Sequence, residues 1–266
     1  MKLTPESIRS RLHTRVVGKR IVCLDACEST NDRAWQEALA GAPDGTAVFA
    51  EEQTKGRGRF GRSWYAPKGS CVLCSVVLRP SIEADRVPLV TAVAALAAAD
   101  AVEDAAGVEA KIRFPNDILV GGRKIAGVLV ESRFISSKPD LFIVGIGLNV
   151  NVGRADLPAE LREAATSLAI ERGAEVARAA AARALLESLD RWYRELDGVK
   201  AIRKAWRERS AILGKRVRVR EGGRSYGGVV NEVDPLDGLV LRLDSGHERA
   251  FRGEHVERLE VEGSLG

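Results

Sequence analysis

The sequence predicts an α+β fold with a mixed sheet, followed by a small all-β unit. Helical and strand patterns are mixed through residue 210, which indicates helices packed against a sheet. Beyond that point, short strands recur between turns at 222–223 and 235–238, a pattern typical of a five-stranded barrel. We therefore expect two domains, residues 1–210 and residues 211–266.

The helices of the first domain are predicted from caps and apolar spacing. Thr4 before Pro5 marks the start of the first helix, and Ser29 or Thr30 marks the start of the second. Residues 175–196 place leucines and aromatic residues at helical spacing, which we interpret as core packing. The predicted helices cover residues 4–12, 29–40, 88–106, 175–196 and 199–209.

Apolar runs bounded by turn residues predict the strands. The runs at 118–120 and 124–132 are joined at Gly121-Gly122, which predicts a hairpin. Another strand, 141–149, contains glycines that permit close approach of a ligand to the backbone. The remaining predicted strands are 20–25, 46–51, 71–78 and 112–114 in the first domain, and 216–220, 225–233, 239–243 and 248–251 in the second.

Charge and hydropathy exclude several classes of protein. The net charge is +4, and the 41 basic and 37 acidic residues are mostly interleaved, so the pattern gives no basic face for duplex DNA. No run approaches the roughly 18 apolar residues of a membrane span. The first twenty residues are polar and charged and lack the apolar region of a signal peptide. A cytoplasmic location is expected.

The four cysteines are expected to be reduced thiols. Cys71 and Cys74 lie in a predicted strand, where residues three apart point to opposite faces and so do not easily share a metal ion. Cysteine also packs as a small apolar residue. A zinc site is therefore disfavoured.

The segment Gly56–Trp64 (GRGRFGRSW) is the strongest candidate for a ligand-binding loop, and we call it the lid loop. Its glycines allow close backbone approach, and its arginines bring permanently charged donors that suit phosphate. It matches neither a Walker A loop nor a dinucleotide-binding fingerprint. A flexible basic surface loop is the alternative, but Trp64 adds a stacking surface directly after the charges and favours closure on a ligand.

Together with four further motifs, this loop resembles the biotin protein ligase family. The motifs are Ser29-Thr30-Asn31, Gln53 three residues before the lid loop, the RFPND segment 113–117, the RKIAG segment 123–127 and the GIGLNVN segment 145–151. Their order and spacing follow the family pattern over about residues 20–170. Arg113 and Phe114 depart from it, since the family has Lys and Trp there, and arginine does not reproduce lysine geometry.

The resemblance implies the fold and the reaction. It implies a catalytic domain of the biotin/lipoate ligase type, similar to class II aminoacyl-tRNA synthetases, with a C-terminal SH3-like barrel. It further implies that biotin and ATP form biotinyl-5′-AMP and pyrophosphate, with Mg²⁺ accompanying ATP. A lysine of a biotin carboxyl carrier protein, or of such a domain in a carboxylase, then attacks the mixed anhydride. The resemblance leaves the oligomeric state open, a homodimer included.

The resemblance also implies the site residues. Catalytic roles fall to Lys124, which contacts the biotin carboxylate and the α-phosphate, and to Arg59, which contacts phosphate or guards the adenylate. Biotin binding is assigned to Ser29, Thr30, Asn31, Gln53, Gly56, Arg57, Gly58, Arg59, Trp64, Lys124, Gly127, Gly145 and Gly147. Adenylate binding is assigned to Arg57, Arg59, Arg62, Arg113, Asn116, Asp117, Lys124 and Asn149. No metal ligand is assigned firmly: Asp117 either contacts Mg²⁺ or orients Lys124 or Arg113.

Three alternatives remain open. A lipoate–protein ligase shares the fold, but the lid loop favours the biotin branch. A DNA-binding repressor is disfavoured because too few residues precede the first strand for a helix-turn-helix domain. A non-catalytic nucleotide-binding module is excluded only by measured turnover.

Overall fold

The structure, a computed structural model, describes residues 1–262. Its helices are α1 (Pro5–Arg9), α2 (Thr30–Leu39), α3 (Pro88–Ala106), α4 (Leu168–Arg172), α5 (Arg178–Arg194) and α6 (Val199–Glu208). Its strands are β1 (Ile21–Leu24), β2 (Ala47–Ala50), β3 (Cys71–Leu78), β4 (Lys111–Arg113), β5 (Asp117–Val120), β6 (Arg123–Ile135), β7 (Lys138–Asn149), β8 (Arg216–Glu221), β9 (Arg224–Asp234), β10 (Gly238–Leu243), β11 (Glu248–Phe251) and β12 (Val256–Val261).

Seven strands form the first sheet, in the order β1-β2-β3-β7-β6-β5-β4. β1 and β2 run parallel, whereas the other neighbours run antiparallel, so the predicted mixed sheet is confirmed. The long helices α3 and α5 pack on one face, where nearly every apolar side chain of α3 is buried. The other face is only partly covered by a helix, and this leaves room for a site.

The middle of the sheet is left uncovered because of the residues that alternate between the two faces along β7. Its even-numbered apolar residues belong to the core beneath α3 and α5. On the opposite face, Leu141 and Ile143 pack against α2. The next residues on that face are Gly145 and Gly147, which carry no side chain. The helix-covered surface therefore gives way to bare backbone in the middle of the sheet.

The C-terminal sheet contains five antiparallel strands, in the order β11-β10-β9-β8-β12. Its buried valines and leucines and Phe251 join the main core. The predicted five-stranded unit is confirmed, although β12 was not foreseen as a strand. A register shift between Val256 and Arg258 interrupts its alternation, which weakens the sequence signal.

Several boundaries differ from the predicted ones. Thr4 caps α1, but the helix ends at Arg9, and Arg11 adopts a left-handed conformation with φ 66°. α5 begins at Arg178, three residues later than predicted. The sequence reading also missed the five-residue helix α4, which starts after the cap Ser167.

The cysteines Cys71 and Cys74 pack in different apolar clusters on opposite faces of β3, as predicted. Burial raises the pKa of both thiols, to about 11 for Cys71. Within residues 1–262, no helix combines the length and the apolar character needed to cross a bilayer.

Candidate active site

A cavity of about 1060 Å³ lies over the bare part of the seven-stranded sheet. The lid loop, the segment 157–165 and β12 enclose its sides. It brings together all but one of the predicted site residues: Ser29, Thr30, Asn31, Gln53, Arg57, Gly58, Arg59, Arg62, Trp64, Arg113, Asn116, Asp117, Lys124, Gly127, Gly145, Gly147 and Asn149. Gly56 does not line the cavity. A Cβ atom at Gly56 would meet Gln53 and Trp64 at 3.1 Å.

One end of the cavity carries a buried polar network at the start of α2. The side chain of Ser29 caps the helix by accepting from the Asn31 N–H. Thr30 donates to the Gln53 Oε1 from both its N–H (2.7 Å) and its hydroxyl (2.9 Å). Ser75 of β3, which the sequence reading missed, lies next to the Thr30 hydroxyl (2.7 Å) and donates to the Asn31 side-chain oxygen (2.6 Å). Capping and site formation therefore use the same residues.

The floor of the cavity is made of paired glycines. Gly127 of β6 pairs directly with Gly147 of β7. The Trp64 indole lies on this pair, so closely that a Cβ atom at Gly147 would stand 2.6 Å from the ring. Among the described residues, the Trp64 Nε1 is buried without a hydrogen-bond partner. The floor therefore accepts a flat ring, and in this state the ring belongs to the lid loop.

Gly145 has a separate reason to be glycine. A Cβ atom there would lie 2.3 Å from the Asn31 side-chain oxygen. Because Asn31 packs directly on the sheet backbone, the polar network and the glycine floor form one continuous surface.

The opposite end of the cavity holds a carboxylate between two cations. Asp117 contacts the Lys124 Nζ through one oxygen (2.5 Å) and accepts from the Arg113 guanidinium through the other (2.7 Å). Burial favours the neutral carboxyl, but the charges of Lys124 and Arg113 outweigh it and hold the pKa of Asp117 below its ordinary value. For Asp117 the sequence left open a Mg²⁺ contact or the orienting of Lys124 or Arg113, and in the structure its two oxygens contact both cations.

Lys124 also contacts the aromatic surface above the floor. Its Nζ lies 5.2 Å from the centroid of the Trp64 ring, within the range of a cation–π interaction. The side chain is about one third exposed (31%) and lines the cavity. A positive charge is thus fixed where the apolar floor ends.

The lid loop folds back on itself as a small hairpin. Gly58 donates to the Arg62 carbonyl, and Trp64 donates to the Gly56 carbonyl. At the tip, Phe60 has φ 55° and an exposed ring. This internal hydrogen bonding gives the loop a defined shape that carries Trp64 over the sheet.

The three arginines of the lid loop face different partners. Arg57 forms a two-pronged pair with Asp32 of α2, and these hydrogen bonds keep the pKa of Asp32 low. Arg59 donates to the Gly253 carbonyl, and Arg62 donates to the Glu257 carbonyl (2.7 Å). Arg57 therefore ties the loop to α2, whereas Arg59 and Arg62 tie it to the C-terminal sheet.

The predicted adenylate residues Asn116 and Asn149 already have backbone partners. Asn116 donates to the Val128 carbonyl (2.7 Å), and Asn149 donates to the Thr166 carbonyl (3.0 Å). Both line the cavity, but their amide nitrogens hold its walls together.

Two walls of the cavity were not found from the sequence. Residues Leu157, Leu161 and 163–165 close one side, and Arg218 with 256–262 closes another. Neither segment carries a motif. In β12 the apolar residues Val256, Leu259 and Val261 give only an interrupted alternation.

A mixed sheet with an apolar floor and a cationic end beneath a Gly/Arg lid suits an enzyme of the ligase class that activates a carboxylic acid with a nucleotide. Comparisons with known proteins define the family. The model of the "Biotin/lipoate A/B protein ligase family" matches residues 24–149. The chain belongs to this family, and within it to the biotin protein ligases.

Individual relatives agree with this assignment. The chain is 34% identical over 255 residues to the Bifunctional ligase/repressor BirA of Bacillus subtilis, covering 95% of this chain and 78% of the relative. It is 36% identical over 229 residues to the Biotin--[acetyl-CoA-carboxylase] ligase of Paracoccus denitrificans, covering 83% and 93%. A similar solved structure is the biotin protein ligase from Aquifex aeolicus in complex with biotin and ATP, with TM-score 0.76 and 27% identity over 91% of this chain and 99% of that one.

Proposed function

We propose that the protein activates biotin with ATP to form biotinyl-5′-AMP and transfers the biotinyl group to a lysine of a biotin carboxyl carrier protein. The observation that carries this proposal is the layout of one cavity. A polar network at Thr30 and Gln53 faces a cationic end at Lys124 across an apolar glycine floor. Biotin has matching parts: a polar ureido group, an apolar ring and chain, and a carboxylate.

Biotin binding requires the Trp64 indole to leave the floor. The indole now occupies the direct path over Gly127 and Gly147. Once displaced, Trp64 packs on the bound ligand and the lid loop closes over it. Closure excludes water, which would otherwise hydrolyse the adenylate.

In the first step, a carboxylate oxygen of biotin attacks the α-phosphorus of ATP. The bond from that phosphorus to the bridging oxygen breaks, and pyrophosphate leaves. Lys124 offsets the repulsion between the two anions as they meet, while Arg59, Arg62 and Arg113 face the phosphates. Such electrostatic stabilisation is commonly the largest contribution to catalysis.

In the second step, the ε-amino nitrogen of the carrier lysine attacks the acyl carbon. The bond from that carbon to the AMP oxygen breaks, an amide forms, and the amine proton passes to solvent. Asp117 keeps Lys124 and Arg113 in place through both steps because it contacts both of them.

Mg²⁺ accompanies ATP in such reactions. Asp117 does not fit as a ligand, because both of its oxygens already contact cations. Within residues 1–262 no three acidic, histidine or cysteine side chains form a metal-binding group. We therefore assign no residue of this chain to the ion.

The domain division, the absence of DNA binding and the oligomeric state of this enzyme are predictions. We retain the division into domains 1–210 and 211–266, since strands β8 to β12 form a sheet of their own. We expect no sequence-specific DNA binding, which a gel-shift assay tests. Sedimentation with and without biotin and ATP tests for a homodimer.

The decisive experiment is ATP–pyrophosphate exchange with biotin or lipoate, for wild type and Lys124→Ala. We expect exchange that depends on biotin, with a loss of roughly 10²–10³-fold in the variant. Exchange with lipoate alone would identify a lipoate ligase instead. Equal exchange by both proteins would refute the role of Lys124.

A further inference from the structure

The backbone of Lys124 is held by a segment outside the sheet. β6 pairs with β7 only from Ala126 onward, because β7 ends at Asn149. Beside Lys124, the place of β7 is taken by residues 164–166. The Lys124 N–H donates to the Ala164 carbonyl (2.8 Å), and the Thr166 N–H donates to the Lys124 carbonyl (2.9 Å).

A single carboxylate oxygen joins both sides of this pairing. The Glu171 Oε1 accepts from the guanidinium of Arg123, the residue before Lys124, at 2.7 Å. The same oxygen accepts from the hydroxyl of Thr166, the residue whose N–H donates to the Lys124 carbonyl. Glu171 is thus connected to the chain on both sides of the catalytic lysine.

The position of Glu171 is itself fixed. It lies in α4, whose cap Ser167 accepts from the Ile170 N–H and donates to the Val152 carbonyl (2.7 Å). The Thr166 carbonyl is held by Asn149 (3.0 Å). The Glu171 side chain is 13% exposed, and it is not among the residues that line the cavity.

We infer that Glu171 is a positioning residue that sets the place of the Lys124 ammonium through Arg123 and Thr166. The inference rests on the proposed function. Lys124 lies next to a register shift between Ile118 and Leu119 of β5. Such an irregularity can change the direction in which a side chain points. Without Glu171, Thr166 loses its link to Arg123, and the start of β6 is free to shift relative to the segment 164–166.

The expected signature is a loss in turnover without a loss in biotin affinity. Glu171→Ala should lower the kcat of biotin-dependent ATP–pyrophosphate exchange by up to roughly 100-fold, the cost of misplacing a catalytic group by about 1 Å. The KM for biotin should stay unchanged. Glu175→Ala, an exposed glutamate four residues away, is the matched control and should behave as wild type.

Conservative variants separate positioning from folding. Glu171→Gln retains an oxygen that accepts both hydrogen bonds and should recover most of the kcat. Thr166→Ser keeps the hydroxyl and should resemble wild type, whereas Thr166→Val should resemble Glu171→Ala. Urea unfolding of each variant gives the folded fraction, so a simple folding defect is recognised independently.

A double-mutant cycle with Lys124→Ala decides the inference. If Glu171 acts through Lys124, adding Glu171→Ala to Lys124→Ala should cost no more than about twofold, the usual error of additivity. An equal fold-loss in both backgrounds, or a raised KM for biotin with unchanged kcat, would overturn the inference. Wild type without biotin-dependent exchange would instead reject the proposed function, so the two failures are distinguishable.

Discussion

Arg59 in the lid loop donates a hydrogen bond to the carbonyl of Gly253, 194 residues further along the chain. Gly253 in turn packs on Phe114 and Pro115, where a Cβ atom would stand 3.3 and 3.2 Å from the two side chains. Burial lowers the pKa of the Arg59 guanidinium, which stays charged. Among the ion pairs of residues 1–262, none uses Arg59. Its charge thus remains available to a phosphate in the cavity.

Removing Arg59 should loosen the lid loop and the turn between β11 and β12 together. In Arg59→Ala we expect amide hydrogen exchange at 57–62 and 252–255 to become about fivefold faster, since one hydrogen bond contributes about 1 kcal/mol. Exchange resolved by mass spectrometry measures this. Arg207→Ala, at an exposed position of α6, is the control. Faster exchange in the lid loop alone would argue against a hydrogen bond between Arg59 and Gly253.

A side chain on the glycine floor should collide with Trp64. Gly147→Ala is expected to lower the free energy of unfolding by about 1–3 kcal/mol, as overpacking does, because the added methyl group would stand 2.6 Å from the indole. In a Trp64→Ala background the same substitution should cost much less. Urea unfolding of the four proteins measures the difference. An equal cost in both backgrounds would show that the indole does not rest on Gly147.

Acid should weaken the hold of Asp117 on its two cations. The pKa of this carboxyl lies below its ordinary value in the folded protein. Its stabilisation is therefore complete above the unfolded pKa, about 3.9, and is lost as the pH falls through the lower folded pKa. Wild type should exceed Asp117→Asn by about 1–3 kcal/mol in free energy of unfolding at neutral pH, with the gap closing in acid. A gap that widens below pH 4 would contradict the assigned sign.

The buried ion pair between Arg178 and Glu51 should be essential for stability. The two side chains are 5% and 9% exposed and lie 2.7 Å apart, and Glu51 also accepts from the Leu3 N–H (2.7 Å). Arg178→Met leaves a buried carboxylate without its cation, which should cost about 3–5 kcal/mol. Denaturation with urea gives the value. The double variant with Glu51→Gln should recover part of the loss, and no recovery would indicate that packing of Arg178 dominates.

Local sequence patterns were sufficient to predict much of the fold. Thr4 and the pair Ser29-Thr30 indicated two helix starts, and the Gly121-Gly122 turn indicated the hairpin that presents Lys124. These signals are readable because caps and turns depend on neighbouring residues only. The short helix α4 escaped detection because its five residues give too little periodicity and its start carries no proline, unlike that of α1.

Contacts in the site between residues far apart in the chain could not be predicted from the sequence. Ser75 stands in an apolar strand, and nothing local indicates that it meets Thr30 and Asn31. The contact from Arg59 to Gly253 joins two turns that become neighbours only when both sheets have formed. The resemblance located the motif residues but gave no partners for them, and those partners decide how each residue works.

The paired glycines 127 and 147 have one more consequence. Both belong to interior strands, so their backbone amides and carbonyls face neighbouring strands and offer little to a ligand's polar atoms. The middle of the cavity thus distinguishes ligands by thickness and length, while Thr30 and Gln53 at one end and Lys124 at the other distinguish them by chemical group. For biotin analogues altered in the chain, size should decide binding. For analogues altered at either end, polarity should decide it.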